Sequence, residues 1–179
     1  MQRLFVIAGA SASGKSKFTR ALEKKFPLTV LDLDDRLPEL LLENKKRVEE
    51  IGMEAFLAEI RQFRYDDLAL RALARLQKGE NVAVVAPFTS HLKDEAVWQN
   101  FIKPFSAGSI APELIWIHVD PKIRAERLKQ RGEERDIQKV ASPDELARYM
   151  AASEITSPVI AHIAIDGAGD FPAQIDYNL

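Results

Sequence analysis

Residues Gly9-Ala10-Ser11-Ala12-Ser13-Gly14-Lys15-Ser16 carry the spacing G-x-x-x-x-G-K-[ST], a combination suited to holding a chain of phosphates. The glycines let backbone N–H groups close around phosphate oxygens, and a helix beginning at the end of the loop adds the partial positive charge of its N-terminus. Lys15 supplies a point charge for the β- and γ-phosphates, with Lys17 close behind it. The Ser16 hydroxyl suits the octahedral shell of a Mg²⁺ that bridges the same phosphates. The expected ligands are ATP and Mg²⁺. The plainer reading, a glycine turn with a solvated lysine, loses ground if a strand leads into the loop and a helix leaves it.

A second set of chemistry-bearing residues is Asp32-Leu33-Asp34-Asp35. Phosphoryl transfer needs a carboxylate to orient or deprotonate the acceptor hydroxyl, and often another to hold metal-bound water. If the strand alternation continues through the cluster, Asp32 and Asp34 share one side. Asp34 is then the expected base and Asp32 the metal-linked carboxylate, although the two roles can be exchanged. Capping of a helix near Pro38 by Asp34 or Asp35 is the structural alternative. Val82 to Ala86 carries no aspartate, which disfavours a hydrolytic switch. Asp120, followed by Pro121, reads as a helix-start residue.

Arg124, Arg127, Arg131 and Arg135 recur every three or four residues, along one side of a helix that Gly132 would fray. Arginines on such a segment could close over ATP, exclude water and stabilise charge on the transferring group. Arg127, Arg131 and Arg135, nearest the glycine, are the candidates. A solvated helix pairing with Glu126, Glu133 and Glu134 is the alternative. Weaker candidates are Arg61, Arg64 and Tyr65 for an anionic acceptor and His91 for substrate contact, while His118 and His162 read as structural.

These residues need elements to position them. Leu4 to Ala8 reads as a buried strand feeding the glycine loop, Lys15 to Lys25 as the following helix, and Thr29 to Leu33 as a second strand. Pro38 to Lys78 predicts two or three helices, broken at Gly52 and near Phe63–Arg64. Asn81 to Ala86, Leu114 to Val119 and Val159 to Ile165 predict three more strands. Helices are expected over Lys93 to Phe105, Pro121 to Arg131 and Asp144 to Ala152. Strands alternating with helices give an α/β fold, a three-layer parallel sheet with helices on both faces and ligands at the strands' carboxyl ends.

The 179 residues suit one domain, 46% hydrophobic and 29% charged, with a net charge of -2 that argues against bulk nucleic-acid binding. The absence of cysteine excludes disulfides and thiolate chemistry. No segment reads as a signal peptide or membrane helix, so the expected location is the cytoplasm.

With these motifs in order, the chain resembles the small P-loop kinases related to nucleoside monophosphate, shikimate and gluconate kinases. The resemblance rests on Gly9 to Ser16, on Leu31-Asp32-Leu33-Asp34-Asp35-Arg36, and on Trp116 to Pro121 followed by Arg127, Arg131 and Arg135. Asp34-Asp35-Arg36 is also similar to a stretch of polynucleotide 5′-hydroxyl kinases and zeta-toxin-like kinases. The resemblance implies a P-loop NTPase fold of five parallel strands in the order 2-3-1-4-5. It also implies a base at Asp34, a helical acceptor-side insert over 38–80, an arginine-bearing lid over 124–143, and approach of Asp166-Gly167-Ala168-Gly169 to adenine. Two departures concern the acceptor. Ala86-Pro87-Phe88-Thr89-Ser90-His91 lacks the glycine-rich loop of shikimate kinases, and the arginine pattern of nucleoside monophosphate kinases is not evident.

The expected function is Mg²⁺-assisted transfer of the ATP γ-phosphate to a hydroxyl of a small molecule. Lys15, Asp34, Arg127 and Arg131 would act in catalysis. Residues 9–17 with Arg131 and Arg135 would bind nucleotide, and Ser16 and Asp32 the metal. The alternatives are a polynucleotide 5′-hydroxyl kinase and an ATP-binding regulator without transfer. Monomer and homodimer are both compatible with the sequence, and no membrane partner is expected.

Overall fold

The computed structural model describes residues 2–106, 110–131 and 140–179. Strand β1 (Leu4–Ala8) and strand β3 (Val82–Ala86) are buried at every position, as uninterrupted apolar runs require of central parallel strands. With β2 (Thr29–Asp32), β4 (Pro112–His118) and β5 (Ile163–Asp166) they form an all-parallel sheet in the order β2-β3-β1-β4-β5. This is the order that the resemblance implied. Register pairs Ala8 with both Ala86 and Trp116, and Asp32 with Val85, so the carboxyl ends share one edge.

Alternation along β1 divides the core. Leu4, Val6 and Ala8 face Leu68, Ala72, Phe101 and Phe105 of helices α5 (Arg61–Leu76) and α7 (Glu95–Ser106). Phe5 and Ile7 join Phe18, Leu22, Phe171 and Ile175 of α1 (Lys15–Lys25) and α10 (Phe171–Asn178). Helices therefore cover both faces of the sheet.

Local differences from the sequence expectations have physical reasons. The acceptor-side stretch forms four helices: α2 (Leu37–Glu43), α3 (Lys45–Ile51), α4 (Met53–Glu59) and α5. Gly52 does break it, a further break falls at Asn44, the one expected near Phe63–Arg64 falls instead at Ile60, and α5 runs unbroken through both residues. The buried series Tyr65, Leu68, Ala69, Ala72 and Leu76 gives α5 one continuous apolar face. The helix expected over 93–105 is α7, and a short helix that was not expected, α6 (Thr89–Lys93), precedes it. Asp94 separates them and its carboxylate accepts from the N–H of Ala96 at 2.8 Å. β5 begins only at Ile163, because Val159 donates its N–H to Leu92 O at 3.0 Å instead of joining the sheet. Helix α10 was not anticipated, since its apolar anchors are few. Helices α8 (Pro121–Arg131) and α9 (Pro143–Ala152) complete the fold. Among the described residues no helix is long and apolar enough to cross a membrane.

Candidate active site

The loop between β1 and α1 has three residues at positive φ, Gly9 at 149°, Ala12 at 64° and Gly14 at 113°. Left-handed turns of this kind gather backbone N–H groups into an anion-binding hollow. Gly14 is the N-cap of α1, where no side chain accepts from the helix and no acid stands in the first turn. The first-turn N–H groups and the helix dipole therefore face an anion without competition from a capping side chain or a first-turn carboxylate of α1 itself. Lys15 Nζ donates to Gly9 O at 2.7 Å and Ala10 O at 3.0 Å, arched over the loop it serves. Ser16 and Lys17 stand exposed at the start of α1.

This donor set fits a nucleotide triphosphate. Ser16 and Asp32 add hard oxygen donors of the kind magnesium takes. Among the described residues no cluster of three or more His, Asp or Glu could hold a metal by itself.

Arg131 Nη2 donates to Ser11 Oγ at 3.3 Å, which sets its guanidinium at the mouth of the loop. Arg127 lies elsewhere. Its Nη1 reaches Ala12 O and Ser13 O at 3.4 Å each, and its Nη2 reaches Gly167 O at 3.1 Å. Arg127 thus ties the phosphate loop to the β5–α10 turn, the geometry of a positioning residue. At that turn Gly167 donates to His118 O at 2.6 Å, and a Cβ on Gly167 would collide with Ser13 O. Arg124 is buried and bonded to the end of α9. Arg135 and much of the lid expected over 124–143 lie outside the described residues.

The acidic cluster is arranged differently from the strand alternation expected of it. β2 ends at Asp32 and residues 33–36 form a turn, so the period-2 rule stops before Asp34. Asp32 Oδ1 accepts from the Asp34 N–H at 2.9 Å, and Asp35 Oδ2 accepts from the Asp32 N–H at 2.8 Å. Neither Asp34 nor Asp35 caps α2 with its side chain; the N-cap is Arg36. Helix α5 provides the counter-charges. Arg64 Nη2 donates to Asp34 Oδ1 at 2.5 Å, and Arg71 pairs with Asp35 at 3.5 Å and bonds Asp32 O at 3.3 Å. Burial pushes the Asp32 carboxyl above its ordinary value, and the neighbouring aspartates add to the rise. The Asp34 N–H and the charge of Lys15 pull it back.

On the acceptor side, Gly9 N donates to Pro87 O at 3.3 Å, which brings the end of β3 to the loop. Phe88 follows at φ 52°, a left-handed conformation costly for a bulky residue. Its N–H donates to the Tyr65 hydroxyl at 3.1 Å. Burial raises the Tyr65 phenol to about 12 and lowers His91 to about 4. The Tyr65 and His91 rings lie 4.3 Å apart in one aromatic cluster with Phe88 and Phe101. His91 and Tyr65 are therefore packed residues, not exposed substrate grips. His118 stacks on Trp116 at 4.8 Å, and His162 donates through Nδ1 to Ile160 O at 2.7 Å.

Sequence reasoning placed Arg64 only as a possible acceptor grip and left out Arg71. Their seven-residue separation, two turns of one helix, was the available signal that both face the same turn. Nothing in the sequence announced the conformation of Phe88.

The parallel order, the phosphate loop and the acidic turn define the fold of the small P-loop kinases. The chain belongs to the AAA_33 family, an AAA domain, whose pattern spans residues 4–155. No curated protein is matched by the sequence. Among solved structures it is similar to a sugar kinase from Janibacter sp. HTCC2649 (17% identity, TM-score 0.66, covering 99% of this chain and 92% of that one). A gluconokinase from Sinorhizobium meliloti 1021 gives 17% identity, TM-score 0.64 and coverage of 97% and 87%. A shikimate kinase from Bacteroides thetaiotaomicron gives 18% identity, TM-score 0.56 and coverage of 84% and 77%.

Proposed function

We propose that this protein is an ATP-dependent kinase that transfers the γ-phosphate to a hydroxyl group of a small polyhydroxylated molecule. One observation supports the reading most directly: β1 ends at Ala8 opposite Ala86 and β2 ends at Asp32 opposite Val85, so the phosphate loop and the acidic turn leave the same edge of the sheet with only β3 between their strands. In this reaction the acceptor hydroxyl oxygen bonds to the γ-phosphorus, the bond from that phosphorus to the β,γ-bridging oxygen breaks, and ADP leaves. Asp34, held by Arg64, accepts the hydroxyl proton. Lys15, the loop N–H groups and Arg131 bear the negative charge of the transferring group. Magnesium, when bound through Ser16 and water held by Asp32, would neutralise the β- and γ-phosphate oxygens. Arg127 keeps the loop in register with the β5–α10 turn.

The acceptor class draws support from the kinases that share the fold, which are named for sugar, gluconate and shikimate. The absence of an aspartate from the buried strand β3 supports transfer over a hydrolytic switch. The test is ADP release on a panel of sugars, sugar acids, nucleosides and 5′-hydroxyl oligonucleotides. A hydroxylated metabolite that stimulates release, with a phosphorylated product by mass, supports the reading. Stimulation by oligonucleotide alone replaces it with a polynucleotide kinase, and ATP binding without transfer to any acceptor replaces it with a regulator.

A further inference from the structure

A cleft of about 270 Å³ lies on the flank of the phosphate loop, between the end of β4, the start of α8 and the chain leaving α9. Ala10 and Ser13 form its loop side, and Trp116 and His118 give it an aromatic wall. Among the described residues two of its lining side chains hold polar atoms without a partner, Ser13 Oγ and Arg124 Nε. Both residues are deeply buried, with 1% and 5% of their surface exposed. Among the described residues the hydrogen bonds of the Arg124 guanidinium leave from Nη2, to Met150 O at 3.3 Å and to Ser153 Oγ at 2.5 Å. Among the described residues no carboxylate comes within ion-pair distance of it. Burial holds Arg124 below its ordinary value, and the charges of Tyr149 and Glu154 offset this only in part.

A guanidinium taken out of water is ordinarily matched by a carboxylate, because two neutral oxygens do not replace its hydration. Its planar fork fits the paired oxygens of a carboxylate or phosphate. We propose that this cleft is an anion-binding site for a small molecule bearing a carboxylate or phosphate, gripped by the Arg124 guanidinium and the Thr156 hydroxyl. The site is separate from the acidic turn. β2 and β4 are divided by β3 and β1, three strand spacings or about 14 Å. The proposal does not depend on the kinase reading, because it concerns a buried charge and its cleft rather than a reaction.

The test is calorimetric titration of the full chain with malonate and, separately, inorganic phosphate. Phosphate can also enter the loop of residues 9–16, so both titrations are repeated on Lys15→Ala. The expected result is binding that survives Lys15→Ala and weakens about ten- to a hundredfold in Arg124→Met, the loss of a charge-assisted hydrogen bond. Glu154→Gln, which removes a like charge from the rim, should tighten it severalfold. Preference for malonate identifies a carboxylate ligand, and preference for phosphate a phosphorylated one. Failure of both probes to bind at millimolar concentration overturns the proposal, as does wild-type affinity in Arg124→Met or complete loss in Lys15→Ala. Should Arg124→Met fail to fold, Glu154→Gln and the cleft-narrowing Thr156→Leu decide: unchanged affinity in both overturns it.

Discussion

Arg64 Nη2 lies 2.5 Å from Asp34 Oδ1 and 3.2 Å from Leu33 O, so one guanidinium nitrogen of α5 clasps both the carboxylate and the main chain of the acidic turn. The two partners differ in exposure: the Arg64 side chain is 10% exposed and that of Asp34 is 43%. A buried cation thus fixes a carboxylate that still meets solvent, and a positioned base for an incoming hydroxyl has this geometry.

The first prediction concerns that pair. Asp34→Asn should lower kcat by about 10²- to 10⁴-fold, the usual contribution of a general base, while ATP affinity stays within about threefold. Arg64→Leu should lower kcat through the same carboxylate, so the double variant should be no slower than Asp34→Asn alone. Additive losses in steady-state assays would show that Arg64 acts independently of Asp34.

A second prediction follows from the packing of the β5–α10 turn on the phosphate loop. Gly167→Ala sets a methyl group against the rigid carbonyl of Ser13, and overpacking of that kind costs about 1–3 kcal/mol. Because the displaced atom belongs to the loop, ATP binding should weaken as well. At Gly169 the nearest atom to an added Cβ is Nε2 at the end of the Gln174 side chain, at 2.7 Å, whose long bonds to Asp166 O and Asp170 O yield more readily than a backbone carbonyl. Gly169→Ala should therefore cost less than about 0.5 kcal/mol. Urea unfolding and nucleotide titration of the two variants check this, and equal losses would refute the packing argument.

Much of this arrangement was legible in the residues. The apolar run Leu4–Ala8, the glycine pattern and Lys15–Lys25 determine their own local structure, because a buried parallel strand and an amphipathic helix each leave a periodic signature. Strand order came through the family resemblance, since periodicity says nothing about which strands are neighbours. The acidic turn was visible, but its arrangement was not. Three aspartates in four residues do not reveal that the strand stops at Asp32 or that Arg64 and Arg71, about 30 residues or more away, will meet them. Likewise the arginine row on α8 looked uniform in sequence. Tertiary packing gives Arg124, Arg127 and Arg131 different neighbours, in the α9 end, the loop carbonyls and Ser11.

Arg127 and Arg131 should accordingly separate on substitution. Arg127→Leu removes donors to three backbone carbonyls and should cost about 1–2 kcal/mol of stability, given their long geometry, together with weaker ATP binding. Arg131→Leu should leave stability within about 0.5 kcal/mol and lower kcat at least tenfold, because its group stands at the mouth of the loop. Thermal unfolding paired with kinetics distinguishes them. A stability loss confined to Arg131→Leu would reverse the assignment.

The last prediction is a pH dependence of stability. Burial in the aromatic cluster holds His91 to about 4, against the ordinary 6.5, so the folded protein keeps it neutral where the unfolded chain protonates it. Between about pH 6.5 and pH 4 the unfolded state binds more protons. Stability therefore rises with pH across that window and is lost as pH falls through it. The shift corresponds to about 3 kcal/mol at most, reduced by any rearrangement that lets water reach the ring. The charge of Asp66 opposes the shift without overcoming burial. His91→Phe keeps a ring against Tyr65, Phe88 and Phe101 while removing the proton site. Urea unfolding of both proteins from pH 7.5 to 4.5 should show the variant losing less stability on acidification, and identical slopes would assign the acid sensitivity to other groups.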